Sequence, residues 1–151
     1  MNYFSFVSFM KNMDVSHVSI GHKDEDICLI DSATTHTILK DRKYFSHIRK
    51  GRASVNTIAG NTRIIEGSGR TIIILPKGTK FFISDALYSP KSQRNLLSFK
   101  DIRQNGYHVE TINEKSIEYL HITNVRDGEK YVLEKLPTLS YSLYYTTIIS
   151  I

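Results

Sequence analysis

Apolar and polar positions follow one another along this chain in short, strand-length runs. Ile27-Cys28-Leu29-Ile30 is a continuous apolar, β-rich run ending at Asp31, the pattern of a buried strand. The small polar residues Asp31–Thr35 have the composition of a turn, and Thr37-Ile38-Leu39 is apolar again. Leu39–Arg52 is charged and reads as a short helix or loop. From Ala53 the pattern is β. Ser54–Ile58 is a strand closed by Ala59-Gly60-Asn61. The β-branched runs Arg63–Ile65 and Thr71–Leu75 flank Glu66-Gly67-Ser68-Gly69, which predicts a hairpin with a Gly-x-Gly tip. After the turn Pro76-Lys77-Gly78, strands are predicted over Lys80–Ile83 and Ala86–Tyr88, the second stopped by Ser89-Pro90.

One helix is predicted, Asn95 to about Asn105, with Leu96, Leu97, Phe99 and Ile102 sharing a face and Gly106 as its stop. Tyr107–Thr111 and Ser116–Ile122 read as a pair of strands, Asp127-Gly128 as a turn and Lys130–Leu133 as a further strand. Ser140–Ile151 is aromatic and β-branched, with no evident partner. Residues 1–25 read as a poorly ordered tail, because Met1–Met13 has no sustained period and His22–Asp26 is charged. The expected division is a tail over 1–25, a β domain over 26–122 and a linker over 123–151. Roughly seven or eight short strands with one late helix argue an all-β fold, a small closed or nearly closed barrel.

Composition narrows the class further. The chain has 151 residues, 40% of them hydrophobic and 23% charged, an ordinary mix for one globular domain. The single cysteine, Cys28, excludes an intramolecular disulfide and a multi-cysteine zinc site. The six histidines show no HExxH spacing, so no metal and no cofactor is expected. A net charge of +5 favours acidic partners, nucleic acid included, but fixes no function. No apolar run approaches the roughly 18 residues of a membrane span, and Met1–Met10 lacks the basic start of a signal peptide. A soluble intracellular, cytoplasmic chain is expected.

The candidate chemistry centres on Asp31. It closes an apolar strand and is followed directly by hydroxyl residues, Ser32 and Thr34, able to hydrogen-bond a carboxylate. An aspartic peptidase needs such parts: a carboxylate on a tight turn, hydroxyls beside it and a mobile flap. An aspartate that merely opens a turn fits the same residues. The order of the remaining motifs adds weight. The chain resembles the retropepsin-like protease segment of copia-type LTR-retrotransposon Gag-Pol polyproteins, close to the plant elements. Cys28-Leu29-Ile30-Asp31-Ser32-Ala33-Thr34-Thr35-His36 is similar to the catalytic block, and Arg63–Gly69 to the flap hairpin. Asp85-Ala86-Leu87-Tyr88-Ser89-Pro90 with Arg94-Asn95-Leu96-Leu97-Ser98 resembles the late block, completed by Gly106-Tyr107. The resemblance covers Asp26 to Ile122, about two-thirds of the chain.

It implies a small barrel closed by the helix at Asn95–Asn105. It also implies Asp31 as catalytic aspartate with Ser32 in the hydroxyl position, and a flap at Gly67, Ser68 and Gly69. Ala33 stands where most relatives carry glycine, either by substitution or by loss of one residue. A single aspartate motif implies an active site built by two chains, so the expected partners are a second copy in a weak homodimer and a polyprotein peptide as substrate. Dimers of this type are usually locked by interleaved terminal strands. Lys130–Leu133 is similar to the start of a pre-integrase region, and the ends read as sequence from outside the element's frame, so a fragment or degenerate copy is expected. The alternatives are an inactive β-barrel remnant or binding module, and a basic nucleic-acid-binding domain using Leu39–Arg52. A solvated charged loop is the simpler reading of that stretch, so nucleic acid is not an expected partner. His36 and Glu66 read as structural, and Cys28 as a small buried hydrophobe.

Overall fold

The computed structural model describes residues 26–57, 60–140 and 143–151. Among these residues eleven strands run in chain order: β1 (Ile27–Asp31), β2 (Ile38–Leu39), β3 (Phe45–Thr57), β4 (Gly60–Ile74), β5 (Lys80–Tyr88), β6 (Asn95–Ser98), β7 (His108–Glu114), β8 (Ile117–Arg126), β9 (Glu129–Ser140), β10 (Leu143–Thr147) and β11 (Ile149–Ser150). Among the described residues the one α-helix, α1, is Phe99–Gln104, and Arg42–Tyr44 forms a 3-10 turn. The strands pair in the order β11-β4-β5-β2-β6-β1-β10-β9-β8-β7, with β3 on β4 beside that path. The fold is all-β, as the strand-length runs predict.

The expectation of a closed barrel is corrected: the sheet is open. Among the described residues no pairing joins β7 to β3 or β11. Both ends explain this. β7 exposes His108, Thr111, Asn113 and Glu114, and β3 exposes His47, Arg49 and Lys50. Charged and polar side chains along an edge oppose further pairing.

The sheet is built around β1. It pairs in parallel with β6, Ile30 opposite Leu97, and antiparallel with β10, Ile30 opposite Tyr144. Its two faces enter different cores. Cys28 and Ile30 pack with Ile73, Phe81, Leu97, Ile102, Leu120, Leu136 and Tyr144. Ile27 and Leu29 pack with Ile38, Leu96 and Leu143. A strand buried on both faces needs an unbroken apolar run, which Ile27–Ile30 supplies. Burial pushes the Cys28 thiol far above its ordinary value, so it stays protonated and behaves as a hydrophobe.

Several local expectations are corrected. Asn95–Ser98 is a strand, and only Phe99–Gln104 is helical. Leu96 and Leu97 enter opposite cores, which a helix face cannot arrange for adjacent residues. The Gly67–Gly69 segment lies in the middle of β4, not at a hairpin tip. β3 and β4 stay paired out to Thr57 opposite Gly60, and residues 58–59 lie outside the described residues. Leu39–Arg52 is largely strand β3 rather than helix or loop, because an exposed edge strand tolerates the cations. The expected strands Lys80–Ile83 and Ala86–Tyr88 are one strand, β5.

The largest correction concerns 123–151, expected as a linker. It completes β8, forms β9 and returns as β10 onto β1, and β11 then pairs with β4 at Ile74. Four of its apolar residues are core: Leu136, Leu143, Tyr144 and Ile148 are buried. The tail expectation for 1–25 lies outside the described residues.

Candidate active site

Asp31 sits where β1 leaves the core. Residues 27–30 are buried, and the chain emerges at Asp31, which is half-buried, while Ser32 and Ala33 are exposed. Asp31 is the last residue of β1 and stands opposite Ser98 of the parallel strand β6. Its carboxylate Oδ1 accepts a hydrogen bond from the Ala33 amide at 3.0 Å, an Asx turn that holds the side chain back over its own loop. Among the described residues nothing else hydrogen-bonds that carboxylate, and the Ser32 hydroxyl has no partner.

The loop then turns inward. The Thr34 hydroxyl donates to the His36 carbonyl at 3.0 Å, and the Thr35 hydroxyl lies 3.0 Å from His36 Nδ1. His36 Nε2 is 3.9 Å from Asp85 Oδ2, with both side chains largely exposed, so this pair contributes little. At Thr37 the loop is anchored. The Thr37 hydroxyl donates to Asp101 Oδ2 at 2.6 Å and its amide donates to the same oxygen at 3.2 Å. The Ser98 hydroxyl also donates to Asp101 Oδ2, at 2.9 Å, and accepts from the Asp101 amide at 3.1 Å. Thr37 and Ser98 are fully buried. One carboxylate oxygen thus ties the exit of the Asp31 loop to the residue beside Asp31 and to the start of α1.

This anchor was missed in the sequence. The spacing Ser98-Phe99-Lys100-Asp101 is that of a helix-capping box, the signal that marks Asp101 as structural. Thr37 carries no local signal, since it lies 64 residues from its partner.

Gly67, Ser68 and Gly69 are placed elsewhere. Gly67 stands opposite Lys50 and Tyr88, and Gly69 opposite Ile48 and Ala86. The glycines serve close backbone approach. A Cβ on Gly69 would lie 1.9 Å from the His47 carbonyl oxygen, and one on Gly67 would lie 2.9 Å from that of Arg49. They border a cleft of about 300 Å³ lined by Arg42, Lys50, Glu66 and Tyr88, which Asp31 does not line. Among the described residues no three His, Cys, Asp or Glu side chains converge as metal ligands would, and no helix is long and apolar enough to cross a membrane.

A profile of the Pol polyprotein beta-barrel domain matches residues 28–107, from the middle of β1 to the residue before β7. No curated protein and no solved structure matched the chain. The matched span holds Asp31, its anchor Thr37–Ser98–Asp101 and the β3–β4–β5 segment, and on this match the chain belongs to the Pol polyprotein beta-barrel domain family.

Proposed function

We propose that the chain is a segment of a copia-type retrotransposon Gag-Pol polyprotein, and that Asp31 is the catalytic carboxylate of an aspartic endopeptidase assembled from two copies. The observation that carries this reading is the setting of Asp31: the first solvent-reaching residue of a strand buried on both faces, with one carboxylate oxygen held by the Ala33 amide and the other free. A carboxylate so fixed is preorganised to face a second one across a two-fold axis. Two carboxylates brought close together share one proton. The ionised Asp31 takes a proton from water, the hydroxide attacks the scissile carbonyl, and the protonated partner hydrogen-bonds the carbonyl oxygen as it gains charge. The amine then leaves with a proton returned from the pair. Ser32, exposed beside the carboxylate, is the hydroxyl of this site. Gly67, Ser68 and Gly69 belong to the body of the β3–β4 hairpin, which takes the place of the flap.

The test is cleavage of a Gag-Pol junction peptide at mildly acid pH by the full chain and by Asp31→Asn. Turnover that the substitution abolishes supports the reading, and equal turnover, or none in either, contradicts it.

One observation favours a second reading, an inactive barrel remnant. The last strands are already used within the chain: β10 pairs with β1 and β11 with β4. Terminal strands so paired are withdrawn from a dimer interface. Sedimentation as a monomer at tens of micromolar, with no turnover, is the signature of that reading.

A further inference from the structure

The strongest feature outside the Asp31 region is a cleft of about 480 Å³ between the β4–β5 turn, the end of α1 and the β8–β9 hairpin. Three cations line it, Lys77, Lys80 and Arg126, and no Asp or Glu does. All three are exposed, and among the described residues none is paired with a carboxylate. Two rings, Phe82 and Tyr107, line it as well. Phe82 is 64% exposed, a large apolar side chain left in water on the outer face of β5.

The walls are fixed in advance. Glu134 is buried behind the turn, and its carboxylate accepts from the Lys77 amide at 3.2 Å, the Thr79 amide at 3.3 Å and the Thr79 hydroxyl at 2.6 Å. Its charge is thus committed to the turn. Asn105 holds the main chain of Phe82 from both sides: its Oδ1 accepts from the Phe82 amide at 2.8 Å, and its Nδ2 donates to the Phe82 carbonyl at 3.2 Å. The Tyr107 ring rests edge-on against Phe81, with centroids 5.5 Å apart. Cations, a presented ring and rigid supports therefore share one concave site.

We propose that this cleft binds single-stranded nucleic acid, with Lys77, Lys80 and Arg126 on the phosphates and Phe82 as the platform on which a base stacks. Clustered cations alone would suit any polyanion. The exposed ring favours nucleic acid, since every base offers a flat face to stack on Phe82, whereas an acidic peptide offers a ring only where it carries an aromatic side chain. The site is independent of Asp31 and of any peptidase activity.

The experiment is fluorescence anisotropy of a labelled oligouridylate of about ten nucleotides with the full chain. With three phosphate contacts, the plot of log affinity against log salt should fall with a slope of about 2. Phe82→Leu keeps the apolar bulk and loses the ring, and should weaken binding roughly fivefold to a hundredfold, while Phe82→Tyr should bind as the parent does. Replacing Lys77, Lys80 and Arg126 together by Ala should remove the salt dependence, while Arg49→Ala with Lys50→Ala should leave it. All of these side chains are exposed, and an unchanged melting temperature confirms folding. Undiminished binding by Phe82→Leu, equal competition by inorganic polyphosphate, an equal loss in the Arg49 and Lys50 variant, or no binding at 100 mM salt up to about 100 μM protein would each overturn the proposal.

Discussion

Removing the Asp101 carboxylate should unfasten the loop that carries Asp31. In the folded chain one oxygen, Oδ2, receives three donors: the Thr37 hydroxyl, the Thr37 amide and the Ser98 hydroxyl. Asp101→Ala strands all three donors, two from Thr37 and the Ser98 hydroxyl, although the Ser98 oxygen still accepts from the amide of residue 101. Each stranded buried donor costs about 1–3 kcal/mol, and a half-buried site admits some water, so a total loss of about 3 kcal/mol is expected. Asp101→Asn keeps an acceptor oxygen and loses the charge, and should cost about 1 kcal/mol. Thr37→Val removes the hydroxyl without changing shape. In a double-mutant cycle with Asp101→Asn it should show coupling of about 1 kcal/mol or more, because the two share a bond of 2.6 Å. The assay is equilibrium urea unfolding at constant slope. A loss under about 1 kcal/mol for Asp101→Ala, or additive effects in the cycle, would refute the reasoning.

Other expectations follow from close contacts and turns. Gly69→Ala drives a methyl to 1.9 Å from the His47 carbonyl oxygen, so it should part β3 from β4 and destabilise by about 2 kcal/mol or more, whereas Gly51→Ala, with nothing within 4 Å, should be near neutral by thermal melting. Lys115 and Ser116 join β7 to β8 with φ of 51° and 68°, so Lys115→Asn with Ser116→Gly should stabilise by about 1 kcal/mol, and unchanged or lowered stability would contradict the turn assignment. Cys28 is fully buried in the central strand, so an alkylating thiol reagent should label it only as fast as the chain unfolds globally, and rapid labelling of the native chain would place β1 outside the core.

What could be read from the sequence and what could not divides along physical lines. β1 was legible because a strand buried on both faces must be apolar at every position. Asp127-Gly128 was legible because a tight hairpin with both central φ values positive favours that pair, and Asp127 and Gly128 have φ of 52° and 81°. The same continuity that revealed β1 disguised β6: Leu96-Leu97 followed by Phe99 and Ile102 carries helical spacing, and a short buried strand cannot be told from it locally. Gly67 and Gly69 misled because glycine marks both turns and close backbone approach, and only the partner strand distinguishes them. Half of β10's pairing was invisible: it pairs locally with β9, but its other partner is β1, at the other end of the described chain, and nothing near residues 143–147 announces that pairing. At the site, Asp31 stood out by position, while its anchor joins residues 37, 98 and 101 across long sequence separations.

The claim that each active site takes one Asp31 from each of two chains is tested most directly by mixing. The wild-type chain and Asp31→Asn are combined in equal amounts, allowed to exchange, and assayed on a junction peptide at fixed total concentration. If both carboxylates are required, only dimers of two wild-type chains turn over, and the rate should fall to about one quarter of that of the wild-type chain alone. A rate of about one half would mean that each chain acts by itself, and no turnover in the wild-type sample would remove Asp31 from catalysis altogether.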